Sequence, residues 1–288
     1  MGYDFKKDVL ISIGIPFKNS CFYLEKALAS ILCQKTNLKY EILCVDDNSE
    51  DFSKSIVEAF IFKYPHIKLF KNKKSGVASA RNKILQEANG EYICWLDSDD
   101  TTTQNFFSVF SELISNGIHD DEIYFCSYNK NQKLIKLNEK TNIMKSILNG
   151  DFPTYLWSSI AKIKFYQKNR PFNETLQRQE DTDFILRSMI KNDAKVLIKK
   201  TLPIVNYNFS LSRDPDDVLK AFNFMTENYK KLYKKYDLDN WFAQRLWEIS
   251  NFFEQNKRYE EAEKLRRKSS IYSAEFEKKY QKFYLKKD

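Results

Sequence analysis

The sequence predicts an α/β fold in which helices flank a mostly parallel sheet, followed by a helical C-terminal extension. Over the first 126 residues, short runs rich in β-branched and aromatic residues alternate with amphipathic stretches of helical length. Such alternation is typical of parallel sheets whose strands are joined by helices. Beyond Asp214 the chain has no glycine, and Pro215 stands where the first turn of a helix tolerates proline. We therefore expect residues 1–213 to form the α/β domain and residues 214–288 the extension.

Five strands are expected in the α/β part of the chain before residue 127. The first is expected to end at Pro16, because proline has no N–H to donate within a sheet. Later elements are a strand near 158–165, a helix near 180–192 and a strand at Lys195–Ile198. The five early strands are Val9–Ile15, Tyr40–Val45, Ile67–Phe70, Glu91–Leu96 and Glu122–Cys126, with helices between them near 21–33, 52–63, 77–89 and 103–115.

Composition excludes several classes of protein. No run approaches about 18 apolar residues, so no transmembrane helix is expected, and the charged first eight residues do not resemble a signal peptide. The five cysteines are scattered, odd in number and without a CxxC pair, which predicts neither a disulfide framework nor a zinc site. We expect a cytoplasmic protein, either free or peripheral at the inner face of the cell membrane.

Positive charge is concentrated at the C-terminal end of the chain. Residues 220–288 hold 17 Lys and Arg against 11 Asp and Glu, a balance of +6 within a total of +8. A basic segment favours an anionic partner, either nucleic acid or an acidic membrane. No nucleic-acid-binding motif is present and the charges are mixed in sign, so nucleic acid is not expected. The extension is expected to contact anionic lipid, or to serve only as a lid or a homodimer contact.

The strongest chemical signal is the acidic cluster Asp97-Ser98-Asp99-Asp100, directly after the apolar run ICWL. Carboxylates placed so close together repel one another, and burying them unpaired is costly. A divalent cation, Mn²⁺ or Mg²⁺, resolves the conflict because it binds carboxylate and diphosphate oxygens together. The alternative is a turn in which Asp100 or Thr101 caps the next helix.

Three further signals each have a functional and a structural interpretation. Asp46-Asp47-Asn48-Ser49 ends the second strand and can accept from a base N–H or from ribose hydroxyls, or simply cap a helix. Arg81 lies within two turns of a helix start and can reach a phosphate or base carbonyl, or be solvated. Glu180-Asp181 opens a helix, where one carboxylate can act as a general base or both can merely complement the helix dipole.

In order and spacing, these signals resemble the GT-A family 2 glycosyltransferases over roughly residues 9–213. The resemblance implies inverting transfer of a sugar from a nucleotide-diphosphate donor, expected to be a UDP-sugar, to a hydroxyl of a bacterial surface or lipid-linked glycan. It also implies a divalent metal, Mn²⁺ or Mg²⁺. The blocks that carry it are PFKNSCFYLEKALASILCQ, YEILCVDDNS, GVASARNKILQEANGEYICWLDSDD and LWSSIAKIKFYQKNRPFNETLQRQEDTDFILRSM.

The resemblance also implies roles for individual residues. Asp181 would be the catalytic base with Glu180 supporting it, and Asp99 would ligate the metal together with Asp97. The acceptor side would include Tyr155 and Trp157. Donor contacts are implied for Pro16, Phe17, Asn19, Asp46 or Asp47, Arg81, Asp97, Ser98, Ser212 and Arg213.

Two departures from the family pattern bear on these roles. Some members supply a histidine ligand after the Glu-Asp motif, but the only histidines here, His66 and His119, lie elsewhere. The run NYNFSLSR (206–213) stands in that place, so Ser212 or Arg213 would meet the diphosphate instead. Asn48 replaces the usual glycine of the aspartate turn, a mild change because Asn tolerates the left-handed conformation.

Two alternatives to a glycosyltransferase enzyme follow from the same residues. A GT-A-type module that binds sugar nucleotides without turnover would be expected to lack the Asp-x-Asp or Glu-Asp residues, and both motifs are intact. A nucleotidyltransferase shares the sheet and the metal-binding carboxylates. It normally opens with a glycine-rich phosphate loop, which the residues after Ile15 lack.

Overall fold

The structure is a computed structural model that describes residues 10–137, 142–207 and 214–282. The chain divides into two compact units, and a short segment from the middle of the chain groups with the C-terminal helices. The first unit comprises Met1–Ile143 and Phe152–Ser210, and the second comprises Met144–Asp151 and Leu211–Asp288.

Two sheets form the framework of the first unit. Their strands, in chain order, are β1 (Ile11–Phe17), β2 (Tyr40–Asp46), β3 (Ile67–Lys71), β4 (Tyr92–Trp95), β5 (Thr101–Thr102), β6 (Glu122–Cys126), β7 (Tyr128–Lys130), β8 (Lys133–Ile135), β9 (Ser159–Lys162), β10 (Lys195–Lys199) and β11 (Val205–Tyr207). The central sheet has seven strands in the order β10-β6-β9-β4-β1-β2-β3, and the smaller sheet has the order β5-β11-β7-β8. The five strands expected before residue 127 all lie in the central sheet.

The central sheet is parallel except at one strand. β1 runs parallel to β2 and β4, β2 runs parallel to β3, and β6 runs parallel to β10. β9 lies antiparallel between β4 and β6. The predicted α/β fold with a mostly parallel sheet is therefore confirmed. The strand expected near 158–165 is shorter, because a helix begins at Ile163.

The sequence predicts that the first strand ends at Pro16. In the structure, β1 instead continues through Pro16 to Phe17. In β1 the odd-numbered residues bond to β2, as when Asp47 N–H donates to the Phe17 carbonyl at 2.8 Å. The even-numbered residues face β4, whose last paired residue, Trp95, lies opposite Gly14. Pro16, which has no N–H, therefore lies where the pairing of β1 with β4 stops, while the opposite side of β1 continues to pair with β2 as far as Phe17.

Helices follow most of the strands. They are α1 (Leu24–Leu32), α2 (Ser53–Lys63), α3 (Val77–Glu87), α4 (Phe106–Ser115), α5 (Ile143–Leu148), α6 (Ile163–Lys168), α7 (Glu180–Asn192), α8 (Pro215–Asn228), α9 (Lys230–Lys235), α10 (Asp239–Gln255), α11 (Tyr259–Tyr272) and α12 (Ala274–Tyr280). Helix α3 approaches β1 so closely that Gly14 has no room for a side chain. A Cβ there would lie 2.8 Å from Ile84 Cγ2 and 2.9 Å from Trp95 Cε3. This contact fixes α3, which carries Arg81, against the middle of the sheet.

The second unit is helical over its described residues after 213. Helix α8 begins with Pro215 in its first turn, and the Asp214 carboxylate accepts from the Asp216 N–H at 2.8 Å, which caps the helix. Within the described ranges, no helix has both the length and the apolar composition needed to cross a bilayer. The apolar core of this unit consists of Phe222, Leu246, Ile249, Phe253, Ala262 and Leu265.

Candidate active site at the carboxyl edge of the sheet

The loops that follow β1 and β2 are fastened to each other. Asn19 N–H donates to Ser49 Oγ at 3.0 Å, and Glu50 N–H donates to Asn19 Oδ1 at 2.8 Å. Both turns need a left-handed residue, and asparagine supplies it in each: φ is 48° at Asn19 and 62° at Asn48. The polar residues after the two strands are thereby held along one edge of the sheet, where parallel α/β sheets bind ligands.

The structure places Asp46 and Asp47 at this edge with different partners. Asp46 Oδ1 accepts from the Ser49 N–H at 2.9 Å and so closes the turn after β2. Asp47 accepts from the Gly76 N–H through both oxygens, at 3.0 and 2.9 Å, and from Asn72 Nδ2 at 2.6 Å. Both oxygens of Asp47 are therefore committed to the loop that leads into α3.

Arg81 lies beneath the site and joins three elements. Its side chain is only 5% exposed, and its guanidinium forms ion pairs with Glu180 at the start of α7 and with Asp97 Oδ1, at 3.3 Å, after β4. The faces of Trp95 and Phe172 lie 5.9 Å from the guanidinium carbon. Arg81 thus brings Asp97 and Glu180, which are far apart in sequence, to one place.

Glu180 and Asp181 open helix α7 in distinct environments. The preceding residue, Gln179, has a left-handed backbone with φ of 59°. Glu180 is buried and paired with Arg81, whereas Asp181 Oδ1 accepts from the N–H of Thr182 at 2.6 Å. Burial, together with the neighbouring Glu180 charge, raises the pKa of Asp181 to about 7, against the opposing effect of Arg81. A carboxylate with such a pKa is suited to exchange a proton near neutral pH.

The acidic cluster after β4 faces the same edge. Asp97, Ser98 and Asp99 are half-buried, and Ser98 Oγ lies 2.7 Å from Ser20 Oγ in the loop after β1. Burial and the charge of Asp97 raise the pKa of Asp99. The capping alternative is wrong, because helix α4 begins only at Phe106 and Asn105 is its first flanking residue, while Thr101 belongs to β5.

The donor set of this cluster fits a divalent cation in part. Among the described residues, no group of three or more His, Cys, Asp or Glu side chains is arranged to hold a metal ion. Asp97 and Asp99 nevertheless offer two hard oxygen ligands whose mutual repulsion a divalent cation would relieve. The remaining ligands would have to come from diphosphate and water, which is the arrangement expected where a metal is bound together with its substrate.

The acceptor-side residues form an aromatic cluster. Trp157 is buried, and its ring stacks 5.0 Å from both Tyr155 and Tyr207. Tyr128 contacts the Trp157 ring edge-on at 4.8 Å. Tyr155 and Tyr207 are half-buried, so they are the members whose rings reach the surface.

Sequence reasoning missed three residues that the structure brings to the site. Ser20 contacts Ser98, Thr182 donates to Asp181, and Tyr207 stacks on Trp157. Ser20 and Thr182 directly follow the predicted site residues Asn19 and Asp181, and Tyr207 lies in the run NYNFSLSR. Local spacing does not show which partner a hydroxyl or a ring will contact in the fold. Ser212 and Arg213 lie outside the described residues.

The architecture is that of an α/β protein with two pairs of carboxylates, Asp97 with Asp99 and Glu180 with Asp181, at the sheet edge where such proteins bind nucleotides. The family model described as glycosyl transferase family 2 matches residues 12–188, from the second residue of β1 to within one turn of the end of α7. The chain belongs to this family, as the sequence motifs predicted.

Curated relatives are similar over parts of their length. The cholesterol galactosyltransferase of Borreliella burgdorferi is 32% identical over 131 residues, which cover 43% of this chain and 36% of the relative. The minor teichoic acid biosynthesis protein GgaA of Bacillus subtilis is 29% identical over 195 residues, 63% of this chain and 44% of the relative. The chain therefore spans less than half the length of these relatives.

Solved structures confirm the predicted GT-A fold. The crystal structure of S. aureus TarS 1-349 in complex with UDP-GlcNAc matches with a TM-score of 0.60 over 91% of each chain, at 16% identity. The complex of the same TarS fragment with UDP matches equally well, with a TM-score of 0.60. At this identity the similarity concerns the fold.

Proposed function

We propose that this chain transfers a sugar from a UDP-sugar to a hydroxyl of a bacterial surface or lipid-linked glycan, with inversion at the anomeric carbon. The observation that carries the proposal is the division of roles between Glu180 and Asp181. Arg81 holds Glu180 in an ion pair, and the pKa of Asp181 is raised toward neutrality. One carboxylate is thereby available as a base, and a single base suffices for one-step displacement with inversion.

Asp181 is proposed to take the proton from the acceptor hydroxyl as that oxygen attacks the anomeric carbon. The bond from the sugar to the departing UDP breaks on the opposite face, so one displacement inverts the configuration. Glu180 and Arg81 are positioning residues in this scheme: the ion pair between them orients the start of α7. The half-buried rings of Tyr155 and Tyr207 would line the approach of the acceptor, with Trp157 packed behind them.

Donor binding is proposed for the loops after β1, β2 and β4. Both Asp47 oxygens are committed to the loop before α3, so we assign the base or ribose contact to Asp46. The remaining donor contacts are proposed for Pro16, Phe17, Asn19, Ser98, Ser212 and Arg213, while Arg81 would act from beneath by orienting Asp97.

Asp97 and Asp99 are proposed to hold a divalent cation, Mn²⁺ or Mg²⁺, together with the UDP diphosphate. When bound, such a cation offsets the negative charge that develops on the leaving diphosphate. The half-exposed position of both carboxylates leaves them accessible to a diphosphate entering over the sheet edge.

A panel of nucleotide sugars tests the proposed function directly. With Mn²⁺ or Mg²⁺ present, we expect release of UDP from one or more UDP-sugars above release from GDP- or TDP-sugars, measured by a coupled nucleotide assay. Glycan extracts as acceptors should increase the rate, and NMR of the product should show an inverted anomeric centre. Tight binding of UDP-sugar without release under any condition would favour a non-catalytic binding module.

The second unit offers a surface for the proposed contact with the inner face of the membrane. Lys264, Arg267 and Lys268 are exposed on one face of α11, and Ile271, 78% exposed, continues that face. Basic side chains around an exposed aliphatic residue are typical of helices that lie on anionic bilayers. Each basic residue near such a surface contributes about 1 kcal/mol, which salt weakens.

Vesicle co-sedimentation tests this contact. We expect the full chain to bind phosphatidylglycerol-containing vesicles at low salt, and Lys264→Glu/Arg267→Glu/Lys268→Glu to reduce binding at least tenfold. The control Lys230→Glu/Lys231→Glu/Lys234→Glu makes a closely similar change of charge on α9 and should bind nearly as the wild type does. Equal losses in both variants would mean that net charge, and not this face, drives binding. Recovery in the supernatant regardless of lipid would exclude the contact.

A further inference from the structure

A groove lies within the second unit, between helices α10 and α12. Its volume is about 550 Å³, within the range of roughly 300–1,000 Å³ typical of ligand sites. All of its lining residues belong to these two helices. Neither the family match, which ends at residue 188, nor the proposed chemistry assigns it a role.

The face that α10 turns toward the groove is aromatic at its edges and polar in between. With about 100° between successive residues, its lining side chains span an arc of about 120°. Trp241 and Trp247 lie at opposite edges of that arc, and Gln244, Glu248 and Asn251 lie between them. Lys279 lines the groove from α12, with Nζ 4.6 Å from the centre of the Trp247 ring.

Neighbouring side chains hold the polar groups in place. Gln244 Nε2 donates to Glu248 Oε1 at 2.9 Å, and Arg245 donates to Glu248 Oε2 at 2.6 Å. The buried Arg266 donates to Asn251 Oδ1 at 2.9 Å. Because these side chains are already held in place, ordering them around a bound ligand costs little additional side-chain entropy.

We infer that this groove binds a saccharide segment of the acceptor glycan, an inference that rests on the proposed glycosyl transfer. A pyranose combines an apolar C–H face with a rim of hydroxyls that both donate and accept. The half-buried Trp241 ring suits the first, as would the Trp247 ring, which is 6% exposed and lies under Lys279 in this structure. Amide and carboxylate groups suit the second. The exposed Lys279 side chain would move from the Trp247 ring and donate to a hydroxyl.

Other occupants fit the groove less well. An apolar helix or an acyl chain would remove Gln244, Glu248 and Asn251 from water and offer nothing to the donors and acceptors that these side chains still present, which is costly. A polyphosphate or nucleic-acid backbone would meet the carboxylates of Glu248 and Glu275. A neutral glycan avoids both penalties.

Fluorine NMR of the full chain labelled with 5-fluorotryptophan gives a localised test. The chain has four tryptophans, so Trp→Phe variants can assign each signal. The probes are maltotriose, triacetylchitotriose and a β-linked galactotriose, without donor. We expect at least one probe to shift the signals of Trp241 and Trp247 and leave Trp95 unchanged. No shift of Trp241 or Trp247 by any probe up to its solubility limit, or a shift of Trp157 alone, would overturn the inference.

Two sets of variants complete the test. Gln244→Ala/Glu248→Ala should weaken the saccharide affinity, measured from the shift during titration, at least tenfold. The control Gln255→Ala/Glu260→Ala, on exposed residues outside the groove, should leave that affinity unchanged. UDP binding should be unchanged in both. Asp181→Asn should keep the saccharide-induced shift, so a failure of the proposed catalytic role and a failure of the groove are distinguishable. Equal saccharide affinity in the groove variant and the wild type would count against the site.

Discussion

Replacing Asp181 with asparagine is expected to lower kcat by about 10²–10⁴-fold, the usual contribution of a positioned general base. The affinity for UDP-sugar should change little, because Asp181 is expected to act on the acceptor hydroxyl rather than on the donor. Asparagine matches the shape of the side chain and preserves its contact with the Thr182 N–H, so helix α7 should begin as before. Steady-state kinetics with the donor varied at saturating acceptor would separate kcat from KM.

The pH profile distinguishes a base from a structural carboxylate. The base acts when deprotonated, so a raised pKa for Asp181 predicts that kcat/KM rises with pH through the neutral range. Glu180→Gln removes a charge that raises this pKa and releases Arg81, so the acid limb should move to lower pH. At pH values above that limb, Glu180→Gln should lower kcat/KM by less than Asp181→Asn does. The reverse order of damage would exchange the roles of the two carboxylates.

Removing divalent cations with EDTA, or replacing Asp99 with alanine, is expected to lower turnover by about 10³-fold or more, since metal stabilisation of a leaving diphosphate contributes several kcal/mol. The expectation rests on Asp97 and Asp99, whose proximity raises the pKa of Asp99 and which a cation would allow to be ionised together. Added Mn²⁺ or Mg²⁺ should restore the EDTA-treated wild type but not Asp99→Ala.

Calorimetry of UDP binding supplies a second measurement of the metal role. In the wild type Mn²⁺ should tighten UDP binding, and in Asp99→Ala that enhancement should disappear while metal-free UDP binding stays similar. Asp120→Ala is the matched control, because Asp120 is a half-exposed carboxylate that pairs with lysines near the opposite edge of the sheet. Full activity in EDTA would remove the metal from the mechanism.

The alternation of apolar runs and amphipathic stretches was enough to predict the sheet and the edge at which the carboxylates lie. Parallel strands all end on one side, so residues at or just after the strand ends, such as Asp46 and Asp97, lie along the same edge of the sheet. The pattern could not show that β9 runs antiparallel, since direction leaves no trace in hydrophobic periodicity. It also misplaced the end of β1, because Pro16 ends the pairing only on the side of β4, while the other side of the strand pairs with β2 to Phe17.

The family, the α/β fold and the candidate carboxylates could all be predicted from the sequence, because they follow from local patterns and from the order of motifs. Which carboxylate is paired depends instead on contacts between residues far apart in the chain. Arg81 and Glu180 are 99 residues apart, and they meet because α3 packs on β1 where Gly14 leaves space. The raised pKa of Asp181 depends on the same long-range packing, since both the burial and the Arg81–Glu180 pair arise only when α3, β4 and α7 converge. The protonation state of a carboxylate beside a buried ion pair depends on the residues that folding brings around it, and spacing along the chain does not reveal those residues.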